Sequence, residues 1–125
     1  MNKRRFFAAL CTMVILSVLC ACAPQPQKFT YGKYLIADGT EELDLEANGH
    51  FTISKVPSGF VDDYGTFSVN STELTFITSA KCHPDDVAFY DWSIKGTKLT
   101  FKPNSYDTCS TRQEVMNNTV WSQEK

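Results

Sequence analysis

From Phe29 onward, short runs rich in β-branched and aromatic residues are separated by Gly, Asn and Asp turns. The turns recur about every 8 to 12 residues, a spacing typical of an all-β sandwich or barrel. Eight strands are predicted, and they cover residues 30–37, 42–46, 50–56, 64–70, 73–78, 88–95, 98–102 and 119–123.

The connections between these runs are tight enough for hairpins. The Asn48-Gly49 pair readily adopts the positive φ values of a type I′ turn. Consecutive hairpins place strands that are adjacent in sequence side by side, so the predicted topology is antiparallel and up-and-down. Apolar and polar residues alternate within the runs, so one face of the predicted sheet is buried and the other is exposed to solvent. Closing the sheet into an eight-stranded barrel would bury the apolar face and remove both free edges.

One short helix is predicted between the last two runs, near the C-terminus. Thr111 with Glu114, or Ser110 with Gln113, fits a capping box, and an asparagine pair at 117–118 fits a C-terminal stop. We expect this helix to cover one end of the barrel.

The charge distribution argues against nucleic acid as a partner. Three of the 12 basic residues lie at positions 3–5, whereas all 14 acidic residues lie from Asp38 onward. The rest of the chain therefore has an excess of acidic residues, and phosphate binding requires clustered Lys and Arg. A chain of 125 residues with 42% hydrophobic residues suits one folded domain.

The N-terminus has the features of an export signal. A basic start at residues 1–5 is followed by a mostly apolar run at 6–19. The run ends in Leu19-Cys20-Ala21-Cys22, which resembles the lipobox of bacterial lipoproteins. This resemblance implies that residues 1–21 are a signal peptide and that Cys22 is lipidated. Two alternatives remain, an uncleaved membrane anchor and an ordinary signal peptide cut elsewhere.

A lipid on Cys22 would hold the mature chain on a membrane of the bacterial cell envelope, outside the cytoplasm. Residues 22–28 are rich in Pro and Gln, a composition that favours an extended, solvated tether. The folded domain is therefore predicted to comprise residues 29–125.

Cys82 and Cys109 are the two cysteines that remain in the exported domain. Such a pair usually forms a disulfide, although two separate buried thiols are the alternative. Cys82 also begins a segment with His83, Asp85 and Asp86, which suggests a metal site. A structural zinc site needs four ligands at compatible spacing, so we predict a polar turn and no metal.

No motif for catalysis or cofactor binding is present. The chain lacks a phosphate-binding glycine loop, a Gly-x-Ser-x-Gly elbow and a His-Glu-x-x-His pair. The acidic pairs Glu41-Glu42 and Asp62-Asp63 are predicted to be solvated loop charges near turns. We therefore expect a protein that is not an enzyme and has no cofactor.

Residues 31–122 resemble the calycin group, specifically compact bacterial lipocalin-like lipoproteins. The resemblance depends on Gly32-Lys33-Tyr34, on hairpins through 65–67 and 96–101, and on the closing Cys109, Arg112 and Trp121. Lipocalins usually have Gly-x-Trp where this chain has Gly-x-Tyr. The resemblance implies that Arg112 stacks on Tyr34 to seal the barrel floor; a surface arginine is the alternative.

Two functions are consistent with such a domain. A lipocalin-like barrel could carry a small apolar ligand lined by Phe51, Phe67, Tyr90 and Trp92. Alternatively, large rings fill the interior, and the protein is a non-enzymatic interaction or inhibitor module that docks through exposed loops at 57–63 or 81–86. An internal cavity would favour the carrier, whereas a packed barrel with Phe60 exposed would favour the interaction module.

Overall fold

A computed structural model describes residues 25–125, so the predicted signal peptide and Cys22 lie outside the described residues. The strands, in chain order, are β1 (Gly32–Ile36), β2 (Glu41–Leu45), β3 (His50–Lys55), β4 (Val61–Val69), β5 (Glu73–Ser79), β6 (Ala88–Lys95), β7 (Lys98–Pro103) and β8 (Val120–Gln123). The helix α1 (Ser110–Met116) lies between β7 and β8. Within residues 25–125, no helix is both long and apolar enough to cross a membrane.

The eight strands form a closed antiparallel barrel in which each strand pairs with its neighbours in sequence. The ring is closed by β8, which pairs with β1 through Tyr34 opposite Gln123 and Ile36 opposite Trp121. The predicted all-β, up-and-down barrel with one short helix is therefore confirmed.

The core lies inside the barrel because alternate residues of each strand point inward. It consists of apolar residues with almost no exposed surface, and these are Tyr34, Leu43, Leu45, Phe51, Ile53, Phe67, Leu74, Phe76, Ala88, Tyr90, Trp92, Leu99, Phe101, Met116 and Trp121. Polar residues occupy most of the intervening strand positions on the outer wall.

The barrel has two ends, because successive connections of an up-and-down sheet alternate between them. Residues 25–31 approach one end, which also carries the β2–β3, β4–β5 and β6–β7 hairpins; we call it the entry end. The other end carries α1 and the loops at 37–40, 56–60 and 80–87; we call it the helix end.

Gly65 marks the place where β4 bends between its neighbours. The pairing of β4 with β5 shifts register between Thr66 and Phe67, as expected at a β-bulge. A Cβ atom on Gly65 would lie 2.0 Å from the Thr78 carbonyl oxygen and 2.9 Å from the Phe51 ring. The position therefore excludes any side chain.

Replacing Gly65 with alanine is expected to lower the free energy of unfolding by about 1 to 3 kcal/mol, because the backbone of β5 must move to admit a methyl group. Urea unfolding followed by tryptophan fluorescence measures the change. Ser68→Ala, on an exposed site of the same strand, is the control and should stay within about 0.5 kcal/mol of the natural protein. Equal stability of the two variants would contradict the close approach.

The β2–β3 turn differs from the predicted type I′. Gly49 has a positive φ of 87°, but Asn48 does not share the left-handed conformation that a type I′ turn requires. The Asn48 side chain instead accepts a hydrogen bond from the His50 N–H at 2.9 Å. The hairpin is therefore closed by one left-handed glycine and one side-chain acceptor.

The predicted capping boxes of α1 are also absent. Cys109 is the N-cap, and no side chain caps the helix. Asp107, two residues upstream, accepts a hydrogen bond from the Cys109 N–H instead. The predicted stop is present, since Asn118 adopts a left-handed φ of 56° just after the helix.

Candidate functional site

The four residues predicted to line a ligand site all point into the barrel. Phe51, Phe67, Tyr90 and Trp92 are each at most 6% exposed. They pack against further aromatic rings. The Phe76 ring lies at the centre, with its centroid 5.0 Å from that of Phe51 and 5.8 Å from that of Tyr90. Large side chains thus occupy the place where a lipocalin-like carrier would hold its ligand.

Depressions occur on the outer wall of the barrel. One of about 540 Å³ is lined mainly by outward residues of β3, β4 and β5, including His50, Tyr64 and Thr78. Another of about 460 Å³ lies over β6 and β7 between Asp91 and Lys102. Both are open depressions on the outer wall rather than enclosed cavities of the kind that bury most of a small ligand.

The entry end is closed by the segment that leads into β1. Phe29 packs edge-on against Trp92 with ring centroids 5.0 Å apart, and it also lies near Phe67. The side-chain amide of Gln27 donates to the Ile94 carbonyl at 3.2 Å and accepts from the Ile94 N–H at 3.3 Å. Gln27 and Phe29 therefore contact β6, so the stretch 22–28, predicted to be an extended, solvated tether, meets the barrel at Gln27.

A disulfide fastens the helix end, as predicted. Cys82 in the β5–β6 loop is bonded to Cys109 at the start of α1, with their Cα atoms 5.5 Å apart. The same loop is joined to this segment by hydrogen bonds from Thr108 and Arg112 to Asp86. The β5–β6 loop (80–87) and the segment 107–116, which together we call the lid, are therefore cross-linked to each other.

A buried ion pair lies beneath this lid. Arg112 donates from Nε and Nη2 to the two carboxylate oxygens of Asp107, each at 2.7 Å, and both residues are only 2% exposed. The Tyr90 hydroxyl donates to the same carboxylate at 2.7 Å. This bidentate arrangement is the strong form of a charge-assisted hydrogen bond.

The surroundings of the ion pair set its protonation. Burial by itself would raise the pKa of Asp107, but hydrogen bonds from Arg112, Tyr90 and the Cys109 N–H outweigh burial and lower it. Burial, and then the hydrogen bond to Asp107, raises the pKa of Tyr90. The cluster is thus a carboxylate, a guanidinium and a neutral phenol. Arg112 Nη2 also donates to the Asp86 carbonyl at 2.7 Å, whereas the buried Nη1 has no hydrogen-bond partner among the described residues.

The predicted stacking of Arg112 on Tyr34 is wrong. The Arg112 guanidinium lies 5.8 Å from the centroid of Phe76, and the Tyr34 hydroxyl donates to the Thr30 carbonyl at 2.5 Å. The alternative of a surface arginine is also wrong, because Arg112 is buried. Asp107 and Phe76 hold the arginine inside the helix end, whereas Tyr34 belongs to a different part of the core.

One member of each acidic pair is buried, contrary to the expectation of solvated loop charges. Asp63 lies on β4 at 5% exposure and accepts hydrogen bonds from the Ser79 hydroxyl at 2.6 Å and the Tyr64 N–H at 2.8 Å. Glu41 lies on β2 at 7% exposure and pairs with Lys55. Each of these buried carboxylates therefore has its own hydrogen-bond or ion-pair partners.

The segment that begins at Cys82 forms a turn. The Asp86 N–H donates to the His83 carbonyl at 2.9 Å, and the Asp86 side chain accepts from the His83 N–H at 3.0 Å. Cys82 is in the disulfide, so its sulfur is not a free thiolate ligand. Within the described part of the chain, no three His, Cys, Asp or Glu residues are grouped to hold a metal ion.

The loop between β3 and β4 exposes an apolar tip at the helix end. Phe60 is 66% exposed and Val61 is 47% exposed. The Lys55 N–H donates to the Phe60 carbonyl at 2.8 Å, which holds the loop against β3. The tip is flanked by the ion pair of Lys81 with Asp62, whose N–O distance is 2.6 Å. An exposed ring on a short, hydrogen-bonded loop is a feature that a partner's pocket can bind.

Comparison with known proteins adds no relative from which a role could be transferred: no family model, curated protein or solved structure matches this chain. The candidate site is therefore defined by the chain's own geometry, a ring-filled barrel with a cross-linked lid and an exposed apolar loop beside it.

Proposed function

We propose that this chain is a lipid-anchored lipoprotein of the bacterial cell envelope whose barrel is a non-enzymatic protein-interaction module. The observation that carries the proposal is the contrast between a barrel interior filled by rings and a Phe60 side chain that is 66% exposed. A large ring costs free energy in water, and its burial against a partner recovers about 1.5 to 3 kcal/mol.

The placement of the loop supports this proposal. The N-terminal segment reaches the barrel at the entry end, where Gln27 bonds to Ile94, whereas Phe60 lies at the helix end. With a lipid on Cys22, the membrane would lie near the entry end. Phe60 would then face away from the membrane and toward soluble or surface partners.

Placing a photo-reactive phenylalanine analogue at position 60 in the natural host tests the interaction. We expect one defined cross-linked protein, identified by mass spectrometry, because the ring enters a specific pocket. The same analogue at exposed Tyr106, also at the helix end, is the matched control and should not give that product. Identical products at both positions, or none at position 60, would contradict docking through this loop.

The anchor is tested separately. Replacing Cys22 with serine is expected to abolish lipidation, because a thioether needs the thiol that the lipobox places there. Intact mass of the membrane-extracted protein should show a chain that starts at Cys22 with added acyl chains, and that species should be lost completely in the variant. A lipidated product that survives the replacement would overturn the anchor.

The carrier alternative has its own measurement. Native mass spectrometry of the protein purified from its host would show a reproducible small-molecule adduct if the barrel held a ligand. We expect no such adduct, since the Phe76 ring packs against both Phe51 and Tyr90 inside the barrel. A stoichiometric adduct would make the carrier the better description.

A further inference from the structure

Three exposed lysines, Lys28, Lys95 and Lys98, lie at the entry end of the barrel. Among residues 25–125, none of these three forms an ion pair, whereas Lys33, Lys55 and Lys81 each pair with a carboxylate. These three lysines, which have no carboxylate partner, thus lie at the same end of the barrel as the N-terminal segment.

The fold brings these lysines together. Lys95 and Lys98 are opposite each other at the tip of the β6–β7 hairpin. The hydrogen bonds between Gln27 and Ile94 place Lys28 beside the same hairpin. Like charges at opposed positions repel one another and destabilise a strand pair. The internal contacts of the barrel therefore give no reason for the cluster.

The chain leaves the barrel next to this cluster. Because Gln27 is bonded to β6, only residues 22–26 would separate the barrel from a lipid on Cys22. Five extended residues span at most about 18 Å. This step rests on the proposed lipid anchor, which then confines the hairpin tip to the neighbourhood of the membrane surface.

We propose that the entry end is a docking surface for the anionic phospholipid headgroups of the membrane that holds the anchor. Lys28, Lys95 and Lys98 supply the charge that attracts such a surface. Tyr31, 41% exposed at the same end, supplies an aromatic ring of the kind that settles at headgroup level.

Acidic residues also lie near this end, but within residues 25–125 none of them forms an ion pair with the three lysines. Glu46 lies in the β2–β3 turn and accepts a hydrogen bond from the Asn48 side chain at 2.8 Å. Glu124 follows β8 beside the hairpin tip, where the Gln123 N–H donates to the Thr97 carbonyl at 2.8 Å. The loops of the helix end carry Asp38, Asp85 and Asp86, which an anionic bilayer repels. In the proposed orientation the three lysines face the bilayer, and these aspartates and Phe60 face away from it.

The test uses the lipidated protein in vesicles, with a fluorescent label on the thiol of Thr97→Cys at the hairpin tip. Lipids with a nitroxide on the headgroup quench labels that touch the membrane surface. We expect stronger quenching in phosphatidylglycerol-containing vesicles than in phosphatidylcholine vesicles, and loss of the difference at 0.5 M salt. Each of Lys28→Gln, Lys95→Gln and Lys98→Gln should lower the ratio of docked to undocked barrels about fivefold.

Two controls separate the docking from the anchor. Lys102→Gln removes an exposed lysine of β7 that is not at the tip and should leave quenching unchanged, and a label at Ser58→Cys on the helix end should be quenched weakly in both lipids. Equal quenching at position 97 in neutral and anionic vesicles, with the lipid present by intact mass, would overturn the docking and leave the anchor intact. An intact mass without lipid would overturn both.

Discussion

Replacing Arg112 with methionine is expected to lower the free energy of unfolding by about 3 to 5 kcal/mol, the usual cost of breaking a buried pair by removing one partner. The Asp107 carboxylate would stay 2% exposed without the two 2.7 Å hydrogen bonds from the guanidinium. Denaturant unfolding of the purified domain, followed by tryptophan fluorescence, measures the loss.

A matched control breaks an exposed pair. Lys33→Met removes the partner of Glu42 on the outer wall, where solvent screens the charges, and should change stability only slightly. The double variant Arg112→Met with Asp107→Leu should be less destabilised than the sum of the two single variants, because no uncompensated charge remains. Additive single effects would show that the ion pair is not the cause.

The same cluster predicts how stability depends on pH. The pKa of Asp107 is lower in the folded protein than in the unfolded chain, so its contribution is present above about pH 4 and is lost as the pH falls through the folded value. The pKa of Tyr90 is raised, so its contribution is lost above about pH 10, where only the unfolded chain ionises. In the Asp107→Asn variant, the free energy of unfolding should therefore depend less on pH in the acidic range. Denaturant unfolding at a series of pH values measures this.

Removing the disulfide is expected to cost about 3.5 kcal/mol, on the chain-entropy estimate for a closed loop of this length. The loop from Cys82 to Cys109 spans a sequence separation of 27 residues and contains β6 and β7. The double variant Cys82→Ser with Cys109→Ser and the natural protein are compared by urea unfolding. For a small domain this change is a large part of the total stability.

Reduction of the natural protein supplies the control for this pair of substitutions. The reduced protein and the double variant should unfold at similar denaturant concentrations, because both lack the same cross-link. A difference below about 1 kcal/mol between the oxidised protein and the variant would mean that the hydrogen bonds of Asp86 to Thr108 and Arg112 hold the lid without the disulfide.

Most of the fold could be predicted because the strands are amphipathic and their connections are short. In β3, for example, Phe51 and Ile53 face inward while His50 and Thr52 face outward, a local pattern visible in the sequence alone. The disulfide followed from a count of cysteines. Closure of the sheet into a barrel could be predicted because the sequence offers no other element that would bury the apolar face of the sheet.

The buried carboxylates were missed because the predicted strands were too short. β4 begins at Val61 rather than at Tyr64, and β2 begins at Glu41. Counting back by twos from the inward Phe67 gives Gly65 and then Asp63, so the alternation continues past the apolar residues. Pairing of backbone hydrogen bonds, rather than hydrophobicity, extends these strands.

The ion pair beneath the lid could not be predicted in the same way. Asp107 and Arg112 are only five residues apart, yet their carboxylate and guanidinium meet because the disulfide and Tyr90 fix the segment over the barrel mouth. An acidic residue just before a predicted helix that contains a lone arginine was the available signal. Tyr34 was predicted in place of Phe76 as the ring next to Arg112, because the ring that this arginine contacts depends on which strand lies beneath the helix.

The pairing of the first strand with the last has a consequence for how the protein reaches its native state. Tyr34 of β1 pairs with Gln123 of β8. Closing the barrel therefore brings together residues from the two ends of the described domain. Such a high contact order favours slow folding. Until β8 has been synthesised, β1 and β7 lack the strand that joins them, so the barrel cannot close before that strand is available.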